Sequence, residues 1–211
     1  MKGAHIHEPA GEPAGVVALT HGAGGSMDSP LLIALCEEWA RRGWLALRYN
    51  LPYRRRRPTG PPSGSAESDM SGIREALQTA RTLSPGPLLA GGHSYGGRLT
   101  SMVVADGAEG VEHIDGLTVF SYPLHPPGKP ERPRTGHLSE ITVPAVFTHG
   151  TRDPFGSIAD LRSAVALMPA RTAIVEATGM PHDLGFSKAG TKAPDLPARA
   201  VDAALRCSVG G

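Results

Sequence analysis

Leu88-Leu89-Ala90-Gly91-Gly92-His93-Ser94-Tyr95-Gly96-Gly97-Arg98-Leu99 is the stretch on which the reading of this chain turns. An apolar run, Leu88–Gly91, leads into a serine set between Gly92 and Gly96, and a helix-forming segment, Tyr95–Ala105, leads away. A G-x-S-x-G pattern recurs by chance in a chain with 27 glycines. The strand before it and the helix after it are the setting a nucleophile elbow requires. The glycines have a physical reason there, because side chains beside a serine on so cramped a turn would collide. The competing reading, a plain glycine-rich turn with an incidental serine, accounts for the glycines but not for the strand and helix.

The same alternation extends in both directions. Upstream, Val16–Thr20 is a β-favouring run that ends in His21-Gly22-Ala23-Gly24-Gly25. Ser29-Pro30 opens a helix, with serine at the cap and proline at the first helical position. Leu31, Leu35 and Trp39 fall at helical spacing on it, and Gly43 closes it. Leu45–Tyr49 is the next strand and Asp69–Thr82 a helix. Downstream, Leu117–Tyr122, Ala145–His149 and Ala173–Val175 read as strands, and Ile158–Met168 and Leu196–Cys207 as helices. Strands that are apolar throughout, separated by helices, predict a mostly parallel sheet of six to seven strands with helices on both faces. The fifteen residues before Val16 leave room for one short edge strand. No repeat or linker interrupts residues 1–211, so one α/β domain is expected.

A serine hydroxyl needs a base, and the base needs a carboxylate to orient it. In this strand–helix setting the partners follow in the order serine, acid, histidine. Asp153, in Thr148-His149-Gly150-Thr151-Arg152-Asp153-Pro154, falls just past a strand, at the carboxyl edge where parallel sheets bind ligands. His182, in Gly179-Met180-Pro181-His182-Asp183, lies beyond the last strand. A capping role for Asp153 is less apt, since Ser157 sits nearer the following helix. Asp160, inside that helix, and Asp183, next to His182, are weaker acids for the role. His21, His93 and His149 are read as structural rather than as the base, because chain order favours His182. A developing oxyanion needs donors, expected from the backbone amides of Tyr95 and Ala23, with Gly24 next. Gly24, His93 and His125 are candidate substrate contacts.

Net charge and length exclude other classes. With 21 Lys+Arg against 20 Asp+Glu, the formal charge of +1 does not suit a generally basic nucleic-acid binder. Cys36 and Cys207 are too few for a disulfide scaffold or a cysteine zinc site, and Cys36 is expected to be packed. No metal or organic cofactor is called for by the chemistry above. The glycine-rich loop lacks the G-x-G-x-x-G and P-loop patterns of nucleotide sites. The longest apolar run, Leu31–Cys36, is far below the roughly 18 residues of a membrane span. Met1-Lys2-Gly3-Ala4-His5 has no apolar leader, so a cytoplasmic location with no membrane partner is expected. Two stretches break the pattern: Arg54–Arg57, read as a solvated loop or an anion-binding patch, and the Pro-rich Pro123–His137.

Arg48-Tyr49-Asn50-Leu51-Pro52-Tyr53, Tyr122-Pro123-Leu124-His125-Pro126-Pro127-Gly128-Lys129-Pro130 and His149-Gly150-Thr151-Arg152-Asp153-Pro154-Phe155-Gly156 complete the picture. With the serine motif, they resemble the α/β-hydrolases of the dienelactone-hydrolase-like branch. Within it they are similar to a compact subfamily of unassigned substrate, related to a testis-expressed protein and a subunit of the NSL histone-acetyltransferase complex. The resemblance spans His21 to roughly Phe186. It implies an α/β-hydrolase fold without a separate cap domain, with Ser94 as nucleophile, Asp153 as acid and His182 as base. Dienelactone hydrolases proper use a cysteine, so Ser94 argues for ordinary ester chemistry on a small carboxylic ester. Thioester or peptide cleavage on the same residues, and a binding module that keeps only the scaffold, are the alternatives. Oligomeric state is not legible.

Overall fold

A computed structural model describes residues 3–107, 113–187 and 189–208; Met1 and Lys2 of the amino-terminal stretch lie outside them. Seven strands form one sheet: β1 (Ala4–His7), β2 (Val16–Thr20), β3 (Leu45–Tyr49), β4 (Leu88–His93), β5 (Gly116–Phe120), β6 (Ala145–Gly150) and β7 (Thr172–Ala177). Their spatial order is β1-β3-β2-β4-β5-β6-β7. Every pairing is parallel except that of β1, which runs antiparallel to β3 with Ala4 opposite Tyr49. The expected edge strand before Val16 is therefore present.

Both faces of the sheet are covered, which is why its central strands carry apolar residues at successive positions. Val17 and Leu19 of β2 point into a core shared with α1 (Pro30–Arg41) and with a closing helix at Leu196–Ser208. Val16 and Ala18 point the other way, into the core under the helices at Ala66–Leu83 and Ser94–Ala105. In chain order the helices are α1, α2 (Pro52–Arg56), α3 (Ala66–Leu83), α4 (Ser94–Ala105), α5 (Ile158–Val165) and α6 (Leu196–Ser208). Leu161, Ala164 and Val165 of α5 pack on Leu117, Val119 and Phe147.

Several boundaries differ from those read in the sequence, each for a local reason. α3 starts at Ala66 rather than Asp69 because the Ser65 side chain accepts the Ser68 amide and caps it there. α5 stops at Val165, short of Met168. Helix α2 was read as part of a basic loop; Pro52 at its first turn opens it. A small hairpin, β8 (Phe186–Ser187) with β9 (Gly190–Thr191), is too short to leave a pattern. Among the described residues no helix is long and apolar enough to cross a membrane.

The strand order creates the crevice. After β2 the chain turns to α1 on one face and moves outward to β3; after β4 it turns to α4 on the opposite face. The carboxyl ends of the neighbouring strands β2 and β4 therefore send their loops apart, and open parallel sheets bind ligands at such a switch point. Tight packing holds β4 in register. A Cβ on Gly91 would lie 2.0 Å from the carbonyl oxygen of Thr118 on β5. Gly91→Ala is thus expected to lower the unfolding free energy by about 1–3 kcal/mol or more. Gly136→Ala, with open space around it, should stay within about 0.5 kcal/mol. Urea denaturation of both variants measures the difference, and equal stabilities would contradict the packing account.

Candidate active site

Ser94 is the first residue of α4 and has a φ of 51°, a left-handed backbone that side-chain-bearing residues rarely adopt. The turn is possible because Gly92 and Gly96, two residues to either side, lack side chains. A Cβ on Gly96 would meet the His21 carbonyl oxygen at 2.4 Å, and one on Gly92 would meet that of Thr20 at 2.7 Å. The chain thus runs β4 straight into α4 and presents Ser94 above the sheet's carboxyl edge.

His182 reaches Ser94 from the loop after β7. Its Nε2 lies 2.7 Å from Ser94 Oγ and its Nδ1 lies 2.7 Å from Asp153 Oδ2. A carboxylate can only accept, so Nδ1–H donates to Asp153 and leaves Nε2 to accept the serine proton. Gly150, the last residue of β6, lets this loop descend. A Cβ there would sit 2.3 Å from the carbonyl oxygen of Met180 and 2.6 Å from that of Pro181. The Arg152 amide donates to the Met180 carbonyl, which ties the Asp153 turn to the His182 loop. Phe155 covers the His182 ring at a centroid distance of 4.5 Å.

The Asp153 carboxyl is buried. Burial alone would raise its pKa, but the His182 hydrogen bond and charge, the Phe155 amide and His149 together hold it below its ordinary value. His149 does not compete for it: its Nε2 is 3.8 Å away and donates instead to the Gly156 carbonyl at 2.9 Å. Ser157 caps α5 in a box with Asp160, so Asp153 is spared that duty and Asp160 is committed to it.

His21 and His93, read as structural rather than as the base, both hydrogen-bond to backbone. His21 is fully buried, with Nδ1 donating to the Gly22 carbonyl at 2.8 Å and Nε2 accepting from the Leu51 amide at 3.2 Å. His93 faces the same cavity as Ser94, but its Nε2 donates to the His182 carbonyl at 2.9 Å, so the ring braces the His182 loop. Burial pushes His21, His93 and His137 each down to about 4.

Ser94, His93 and His182 line a cavity of about 390 Å³ with the loop Gly22–Gly25 and the apolar side chains of Leu31, Phe155 and Phe186. Ala23 and Gly24 are therefore on its wall, and their amides enter no backbone hydrogen bond among the described residues. His125 is a correction. It lines a separate cavity of about 380 Å³ beside α5, bounded by Leu124, Pro130 and Leu167, and its Nδ1 bonds the Pro126 carbonyl. The Pro-rich segment is tied down by Tyr122, whose hydroxyl donates to the Arg134 carbonyl at 2.6 Å, and by His137, which pairs with Ser101 on α4.

Arg54–Arg57, read as a solvated loop or an anion-binding patch, divides in the structure. Arg54 is buried while Arg55, Arg56 and Arg57 are exposed. Leu31, Phe155 and Phe186 line the Ser94 cavity without having been singled out as site residues in the sequence, since their spacing does not mark them as such. Cys36 is packed in the core, and burial pushes its thiol up to about 12. Among the described residues no three His, Cys, Asp or Glu side chains cluster as metal ligands.

A parallel sheet with a left-handed serine at the β4–α4 turn, facing a histidine and an aspartate, defines the class of α/β-fold hydrolases. The chain belongs to the alpha/beta hydrolase domain family, whose match runs over residues 13–207. It is similar in structure to Est1E from Butyrivibrio proteoclasticus (TM-score 0.77, 15% identity, covering 99% of this chain and 94% of that one). Esterase 2 from Thermogutta terrifontis superposes with a TM-score of 0.73 at 18% identity, over 96% of this chain and 88% of that one. An alpha-beta serine hydrolase homologue from Coxiella burnetii does so with a TM-score of 0.71 at 16% identity, over 93% and 89%.

Desolvation of His21, His93 and His137 sets an acid limit on stability. Folded, they stay neutral down to about 4; unfolded, they take up protons near the ordinary value of 6.5. Between those values the unfolded state binds more protons, so stability falls as pH drops. Asp153 adds a loss only below its unfolded value of 3.8. The urea midpoint is expected to be level from pH 8 to about 7 and to decline from about 6.5 to 4. A midpoint unchanged down to pH 4 would contradict the neutral, buried assignment.

Proposed function

We propose that this chain is a serine hydrolase that cleaves small carboxylic esters. The observation that carries the reading is the continuous hydrogen-bonded line from Ser94 Oγ through His182 to buried Asp153, with both contacts at 2.7 Å. In this reading His182 Nε2 takes the Ser94 proton as Oγ attacks the ester carbonyl. Asp153 holds the ring in the tautomer that can accept that proton and stabilises the imidazolium that results. The carbonyl π pair moves onto oxygen, where the amides of Tyr95 and of Ala23 or Gly24 receive it. Collapse expels the alkoxide, which takes the proton from His182 and leaves as the alcohol, with the acyl group on Ser94. Water, deprotonated by His182, attacks in the second half, and Ser94 leaves with the proton returned.

The cavity supports a small acyl group. Its volume of about 390 Å³ is walled on one side by Leu31, Phe155 and Phe186 and on the other by the glycine loop. Structural neighbours point the same way: Thermogutta terrifontis esterase 2 has been solved with butyrate bound and phosphonylated by sarin, and Est1E with ferulic acid. The three sequence motifs resemble those of the dienelactone-hydrolase-like branch, and Ser94, where dienelactone hydrolases proper carry a cysteine, supports oxygen esters as substrates.

Kinetics on p-nitrophenyl esters test the proposal. Acetate and butyrate esters should be turned over faster than decanoate, and Ser94→Ala should abolish the activity. Asp153→Asn should reduce kcat by about 10⁴-fold through the wrong histidine tautomer. A Ser94→Ala variant that keeps the wild-type rate, or a preference for decanoate, would overturn it.

A further inference from the structure

We propose that Tyr53 and Arg54 are positioning residues that aim and polarise the oxyanion-binding amides of the glycine loop. The inference rests on the ester-cleaving reading of Ser94 given above.

Arg54 is 4% exposed, yet every hydrogen bond its guanidinium makes among the described residues goes to a backbone carbonyl. Nε donates to Gly25 O at 2.7 Å, and Nη2 donates to Ala23 O at 3.2 Å and Gly60 O at 2.9 Å. Nη1 donates to Arg57 O at 3.1 Å. Buried charges are ordinarily paired with an opposite charge. Here backbone carbonyls accept all of the cation's hydrogen bonds among the described residues, and two of them belong to the loop that faces Ser94. The neighbouring Tyr53 hydroxyl donates to the same loop, at 2.8 Å from Ala23 O and 3.3 Å from Gly22 O.

Peptide geometry turns these contacts into aim. In a planar trans peptide the N–H points opposite to the C=O. Holding the Gly22 and Ala23 carbonyls toward α2 therefore directs the Ala23 and Gly24 N–H groups away from it. Both residues lie on the wall of the Ser94 cavity, and their amides are uncommitted to other backbone groups among the described residues. The contact with a guanidinium also polarises the peptide whose carbonyl it grips. Charge-assisted bonds are stronger than neutral ones, and hydrogen bonds in series reinforce one another. The peptide that joins Ala23 to Gly24 receives both the tyrosine and the arginine, so the Gly24 amide is the most strongly activated donor.

A single buried carboxylate links this device to the other half of the hole. Asp69 accepts the Tyr53 amide at 3.1 Å and the Tyr95 hydroxyl at 2.9 Å. Tyr95 supplies the second expected oxyanion amide. Burial, then the hydrogen bond to Asp69, raises the Tyr95 phenol, which keeps it protonated as the donor. The Tyr53 and Tyr95 rings meet edge-on at 6.1 Å, and the Arg54 guanidinium carbon lies 5.0 Å from the Tyr53 ring centre. The two walls of the hole, one after β2 and one after β4, are thus held at a fixed separation through α2 and α3.

The test compares the full chain with Tyr53→Phe, Arg54→Met and Arg54→Lys. Each is assayed for kcat and KM on p-nitrophenyl acetate, for inhibition by a trifluoromethyl ketone that adds to serine as a tetrahedral oxyanion, and for thermal unfolding. Loss of one oxyanion donor lowers kcat by about 10²–10³-fold, so impaired aim should cost about tenfold in Tyr53→Phe and up to about a hundredfold in Arg54→Met. Ketone affinity should weaken in parallel, with KM changed by less than about threefold and Arg54→Lys intermediate. The acid limb of the pH–rate profile should not move, since His182 and Asp153 are untouched. Tyr53→Phe removes one hydroxyl, so it decides the matter even if Arg54→Met fails to fold. Unchanged kcat and ketone affinity in Tyr53→Phe and Arg54→Lys, or lower thermal stability with ketone affinity retained, would overturn this inference alone. A wild-type chain that neither cleaves the ester nor binds the ketone would overturn it together with the reading on which it rests.

Discussion

The left-handed backbone at Ser94 is the constraint on which the remaining architecture depends. A residue with a side chain held there costs about 1–3 kcal/mol and persists only where its surroundings over-determine it. Backbone makes the nearest of those contacts: the carbonyls of Thr20 at the end of β2, of His21 just after it, and of Gly92 crowd the positions of Gly92, Gly96 and Gly97, and the Thr20 and Val119 side chains close in beside them. The elbow exists because β2 and β4 are neighbours and α4 is pressed against both. The strand order that creates the crevice is thus the same feature that forces the turn.

Three loops converge on that elbow, and each is fixed by a different means. The loop after β2 is held from behind by Tyr53 and Arg54. The turn after β6 is fixed by Asp153, which accepts the Phe155 amide while it holds His182. The loop after β7 leans on Gly150 and is braced by His93 through the His182 carbonyl. Strands supply the frame, with Ser94 at the first turn of α4 and Asp153 and His182 on the loops after β6 and β7. An alignment at hydrogen-bonding distance in the free protein follows from this bracing.

The frame was legible in the sequence because burial on both faces writes itself as uninterrupted apolar runs; Leu45–Tyr49 and Val16–Thr20 have the boundaries read from it. Ser94, Asp153 and His182 were legible because the serine motif fixes one position and chain order narrows the other two; the structure brings all three together. Arg54 was not, since a run of four arginines looks like a solvated surface. The carbonyls of Ala23 and Gly25, about thirty residues away in sequence, draw it in and set it apart from the exposed Arg55–Arg57. His125 misled for the opposite reason. It lies in a Pro-rich segment whose direction is set by the long-range bond from Tyr122 to the Arg134 carbonyl, which no local pattern encodes. Phe155 sits in a quoted motif that gives it no role and Phe186 in none, and their place beside Ser94 depends on how the loops after β6 and β7 fold back.

The central claim is that His182 activates Ser94 beside preformed oxyanion donors. Intact-mass spectrometry after exposure to a fluorophosphonate, with wild type and Ser94→Ala side by side, tests it most directly. Such reagents modify a serine only when a base has activated it and donors receive the developing charge. The account predicts one adduct per wild-type chain and none on Ser94→Ala. An unmodified wild-type chain that is demonstrably folded, or an adduct that persists in Ser94→Ala, would contradict it.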